Sequence, residues 1–173
     1  EIKKEASKDI YKRAETFLQN KNSSEIDTEE VRDIKGLIRR GEARATCHFI
    51  GIPDEQIHFM ELPFYETGKI EKHPLSKVDI ENTKNLIDKI KPHQIYAAGD
   101  LADPHGTHKI CLDAIFDSVR DLKHKKYMKD CWVWLYRGAW QEWNIDEIDM
   151  AVPMGPDQVL EKRKGIFKHQ SQK

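Results

Sequence analysis

The run Cys131-Trp132-Val133-Trp134-Leu135-Tyr136 contains no charge. Six residues so apolar and aromatic have no place on a solvated surface, and their number suits a central strand rather than a helix. A second run, Gln94-Ile95-Tyr96-Ala97-Ala98, reads as a buried strand that stops at Gly99-Asp100. Before it, Ile80, Leu86, Ile87 and Ile90 recur at helical spacing over Asp79 to Lys91, and Pro92 ends the pattern. A further helix is expected from about Pro104 to Leu122. Helices alternating with buried strands predict an α/β fold with a mostly parallel sheet covered on both faces.

The flanks extend this layout. Ile2, Ala6, Ile10, Ala14, Phe17 and Leu18 predict a first amphipathic helix. Asp27-Thr28-Glu29-Glu30 has the form of a capping box, with Asp27 as acceptor and Glu30 three residues on, opening a long helix to about Ile50. Gly51 suits its end and Pro53 prevents continuation. Short strands are then expected at Gln56 to Leu62 and at Ile148 to Val152, a surface connection at Pro63 to Val78, and a last helix opening at Pro156. The length suits one domain.

Charge and cysteine content narrow the function classes. The 29 basic and 30 acidic residues cancel to a net charge of -1, so no bulk field draws the chain to nucleic acid or an anionic membrane. No apolar run approaches the roughly 18 residues of a membrane helix. Small molecules or proteins are the expected partners. Cys47, Cys111 and Cys131 form no Cys-x-x-Cys pair and read as buried free thiols of a reducing, cytoplasmic compartment. The charged amino terminus differs from a secretory leader. Without an initiator Met, and stopping directly after His169-Gln170-Ser171-Gln172, the chain reads as a fragment cut at both ends.

Chemistry is expected in the segment Asp103-Pro104-His105-Gly106-Thr107-His108. It follows a buried strand, where parallel sheets place their ligands. Asp103 as N-cap and Pro104 at the first helical position would set His105 and His108 on one face of the first turn. Two readings stand open: a solvated helix start, or an imidazole ligand for Zn²⁺ beside one that stabilises an oxyanion or donates a proton. Tyr136 and Arg137, at the carboxyl end of their strand, could meet a substrate phosphate. Core packing accounts for Trp132 and Trp134, while Trp140 and Trp143 could line the mouth of the site. His169 is either a helix-end residue or site-facing. No glycine-rich nucleotide loop is present.

Arg39-Arg40-Gly41-Glu42-Ala43, Gly51-Ile52, the Asp103 to His108 segment and His169-Gln170-Ser171-Gln172 occur in the order seen in the PIG-L (LmbE-like) family of zinc-dependent N-deacetylases, which the chain resembles over nearly its whole length. Through Ile38 to Glu42, Pro63 to Thr67, Pro92 to His108 and Trp132 to Trp140 it is similar to the deacetylase-like domain that follows a glucosamine-6-phosphate deaminase domain in Bacteroidetes proteins. The resemblance implies a three-layer, Rossmann-like mostly parallel sheet, truncated at its first strands. It further implies His108 as a zinc ligand, His105 as partner of the tetrahedral intermediate, and Arg39 near the catalytic aspartate. Asp103, Arg137, Trp140 and His169 are then candidate contacts to an N-acetylated amino sugar or sugar phosphate. The family's Ala-His-Pro-Asp-Asp motif, holder of the other two zinc ligands and the general base, is missing from these residues. Zn²⁺ is therefore expected in the complete domain. The isolated chain is expected to be inactive and to form homo-oligomers through an exposed sheet edge. The alternative is a sugar-binding or regulatory module without catalysis, attached to a glucosamine-6-phosphate deaminase.

Overall fold

The computed structural model describes residues 2–65, 72–99, 106–137 and 141–172, with side chains from Ser7 onward. Five helices and two strands form among them: α1 (Ile2–Asn20), α2 (Glu29–Phe49), α3 (Lys77–Ile90), β1 (Gln94–Ala98), α4 (Thr107–Leu122), β2 (Trp132–Tyr136) and α5 (Pro156–Ile166). The fold is α/β. Residues 1–173, read from sequence as one domain, divide into two compact units: Glu1–Phe59 with Pro153–Lys173, and Met60–Val152.

The first unit is helical. Thr28 caps α2, its hydroxyl accepting from Val31 N at 3.4 Å. This corrects the capping box expected at Asp27. That carboxylate is instead taken by Lys21 at 2.5 Å and Lys35 at 2.7 Å, and these hydrogen bonds hold it below the usual carboxylate range. Pro156 occupies the start of α5 as expected, and Gln158 Oε1 accepts from Gly155 N at 2.7 Å to close the first turn. Val31 and Ala14 are buried. Thr46 on α2 donates to Gly165 O of α5 at 3.2 Å.

The second unit is a βαβ arrangement. β1 and β2 run parallel, Gln94 opposite Trp132 through Ala98 opposite Tyr136, with α4 as the crossover. Ile87 of α3, Leu122 of α4 and Met128 form its buried core, with Ile95, Val119, Tyr127 and Cys131 packed around them. Full burial of one such apolar side chain contributes about 1.5–3 kcal/mol. Ser118 of α4 bridges to α3 through Ile80 O at 3.0 Å. Burial, with a hydrogen bond to Asp88 at 3.0 Å, pushes the Tyr127 hydroxyl up to about 12.

α3 starts at a capping box of Ser76 and Asp79. Asp79 is fully buried, yet its carboxylate accepts from Phe64 N at 3.1 Å, Ser76 N at 2.9 Å and Ser76 Oγ at 2.5 Å. Burial alone would raise the carboxyl; these donors outweigh it and hold it below its ordinary value.

Two expected strands do not form. At 56–62 the chain leaves a 3-10 turn at Asp54–Gln56 and then passes through Glu61 in the left-handed region, φ 49°, which breaks an extended ladder. At 148–152 a 3-10 turn at Ile145–Glu147 precedes exposed Ile148, Met150 and Val152, which have no buried face to form. The described sheet therefore has two strands. Nor is β2 buried on both faces. Ile95 and Ala97 turn toward the core, whereas Trp132 is 65% exposed and Tyr96 56%. This overturns core packing for Trp132, which instead lies stacked on Trp134, ring centroids 6.0 Å apart. The three cysteines are free and half-buried. No helix among the described residues is long and apolar enough to cross a membrane.

Candidate functional site

The carboxyl ends of β1 and β2 lie at one end of the βαβ unit, the end at which the chain passes from β1 toward α4. At the exit of β1, Gly99 is buried, and a Cβ there would sit 2.9 Å from Leu135 Cβ and 3.3 Å from the Trp143 ring. Glycine is what lets the two strand exits and Trp143 close on one another. At the exit of β2, the half-buried Arg137 lies with its guanidinium carbon 3.5 Å from the centroid of the Trp143 ring. Its Nε donates to Gly99 O at 3.4 Å and its Nη1 to Glu142 O at 3.3 Å. Trp143 thus stands at the strand ends.

α4 begins at Thr107, with Gly106 as its N-cap in the left-handed region, φ 67°. That corrects the helix start expected at Asp103 and Pro104, and with it the argument that His105 and His108 share the first helical turn. His108 is in that turn, half-buried, with Nδ1 shielded from solvent. Asp103, His105 and Trp140 lie outside the described residues.

Arg39 and His169 belong to the first unit, His108 and Arg137 to the second. Arg39 is exposed on α2. His169 is half-buried in the turn after α5 and helps line an open, mainly apolar groove of about 690 Å³ with Ile50, Met154 and Phe167. A contact that the sequence reading did not foresee joins two of its motifs. Glu42 accepts from Ser171 N at 2.7 Å and from Ser171 Oγ at 2.6 Å, and this pair of hydrogen bonds holds the Glu42 carboxyl below its ordinary range. The signal available was that both residues sit within the segments that carry the family resemblance.

The chain is similar to a glucosamine-6-phosphate deaminase-like protein. That protein, from Bacteroides thetaiotaomicron, is 53% identical over 165 residues, which cover 94% of this chain and 25% of the relative. The chain thus spans about a quarter of the relative's length. No protein-family model matches it. No solved structure matches it.

An alignment of that extent takes in residues of both units. A metal is a separate matter. Among the described residues no three His, Cys, Asp or Glu side chains gather closely enough to hold an ion. Catalytic zinc is ordinarily held by three protein ligands, so the described residues do not by themselves fit one.

Proposed function

We propose that this chain is the amino-sugar-handling part of a glucosamine-6-phosphate deaminase-like protein, and that the sugar is met at the carboxyl end of the β1–β2 pair. The observation that carries the reading is the 53% identity over 94% of the chain to a protein of that description. The βαβ topology supports the location, because both strands exit at the end from which the chain passes to α4, whose first turn carries His108. The Arg137–Trp143 stack adds a cation and an aromatic face, surfaces suited to a polyhydroxylated ligand.

Within this reading, the PIG-L resemblance assigns N-acyl hydrolysis to the complete domain. His108 would then be one zinc ligand, with its companions outside the described residues, and the resemblance gives His105 the role of oxyanion partner. Zinc would supply Lewis-acid activation of water when bound. The resemblance also implies roles for Arg39 and His169.

Metal analysis of the full-length protein tests the ligand assignment. Zinc content should fall sharply in His108→Ala relative to the parent. An unchanged content would remove His108 from the metal and favour the binding-module alternative, in which the histidines contact sugar.

A further inference from the structure

We infer that Arg137, clamped between Trp143 and two backbone carbonyls, is an anion receptor for the phosphate ester of the sugar. This rests on the reading that the strand ends meet an amino sugar, and it names the class of substrate they take: a phosphorylated sugar rather than a neutral one.

Three observations support it. The guanidinium is held in place, lying against the Trp143 ring at 3.5 Å and tethered at Nε and Nη1 to Gly99 O and Glu142 O. Both acceptors are neutral carbonyls, so the positive charge is oriented without being cancelled. Arg13, Arg44 and Arg120 by contrast are each paired with a carboxylate, Glu30, Asp54 and Asp117 respectively. No carboxylate among the described residues pairs with Arg137, and its Nη2 has no acceptor among them. That leaves a guanidinium edge for an incoming anion, the geometry that suits bidentate phosphate recognition.

Arg137 is half-buried at the exit of a parallel strand, where ligands of such sheets bind. A long side chain fixed in advance by stacking loses little freedom when the ligand arrives, so more of the contact is expressed as affinity. Gly99 makes this fixation feasible, since any side chain there would push against Leu135 and Trp143 and displace the platform on which Arg137 rests.

Titration of the 173-residue chain with glucosamine 6-phosphate, glucosamine and inorganic phosphate provides the test. The parent should prefer the phosphate ester to glucosamine, and the preference should shrink as ionic strength rises. Arg137→Gln should weaken the ester by about tenfold or more and shrink its preference over glucosamine, with Arg137→Lys between the two. Equal ester affinity in parent and Arg137→Gln overturns the receptor, and so does equal affinity of the parent for the two sugars. If Arg137→Gln does not fold, the parent's ester preference and its salt dependence decide the matter alone. If neither sugar binds but inorganic phosphate binds in an Arg137-dependent manner, the receptor stands and the amino-sugar reading fails. Absence of phosphate binding as well removes both.

Discussion

Gly99 and Gly36 show how the same residue type carries different constraints. A methyl at Gly99 meets Leu135 Cβ at 2.9 Å, a contact between atoms fixed to two adjoining strand exits. Gly99→Ala should therefore cost about 1–3 kcal/mol in chemical denaturation, as overpacking does. Gly36 lies within α2 with open space around it, so Gly36→Ala should raise stability by about 0.5–1 kcal/mol. Equal effects at the two positions would contradict the close approach at Gly99. Asp27 makes a pH-dependent contribution. Its carboxyl is held below its unfolded value by hydrogen bonds from Lys21 and Lys35, so the stability it lends is present above the unfolded carboxylate range of about 4 and is lost as pH falls through the lower, folded value. The stability difference between the parent and Asp27→Asn should accordingly shrink as denaturation is repeated at falling acid pH. A difference that stays constant would show that the two lysines do not shift Asp27.

Capping decides where the helices begin, and it does so with varying legibility. Thr28, Ser76 and Gly155 cap α2, α3 and α5 through contacts within four residues, so sequence reasoning came within one or two positions at α2 and α3 and matched Pro156 at α5. α4 differs. Gly106 adopts a left-handed conformation immediately before it, and the helix opens three residues later than the Asp103-Pro104 signal suggested. Asp79 is the cap with the longest reach, because its carboxylate also receives Phe64 N from fifteen positions upstream. Asp79→Ala would leave the donors of buried Phe64 and half-buried Ser76 without their acceptor, and should destabilise the chain by about 1–3 kcal/mol with faster amide exchange at both. Amide protection at Phe64 unchanged in that variant would separate the 63–65 turn from α3.

At the scale of the whole molecule, the sheet of the second unit has only two strands among the described residues, and Tyr96, Trp132 and Tyr136 on one face are each more than half exposed. Open strand edges beside exposed aromatic rings favour association. The 173-residue chain should show a mass that rises with concentration in light scattering, and Trp132→Lys should suppress the rise. A monomer at every concentration would show that this face does not pair copies. The sequence by itself determined the helices, the α/β class and the two strands Gln94–Ala98 and Trp132–Tyr136, because periodicity, proline and runs of β-branched and aromatic residues act within a few positions along the chain. It also directed attention to Arg137 and His108, through their places just after a strand and in the first turn of a helix. Tertiary structure alone decided that residues 56–62 and 148–152 stay out of the sheet and that Trp132 faces outward. It alone joined Glu42 to Ser171, and Arg137 to Gly99 and Trp143. Glu42 and Ser171 lie 129 positions apart and Arg137 and Gly99 lie 38 apart, and no local pattern records a contact whose energy depends on which distant backbone arrives beside it.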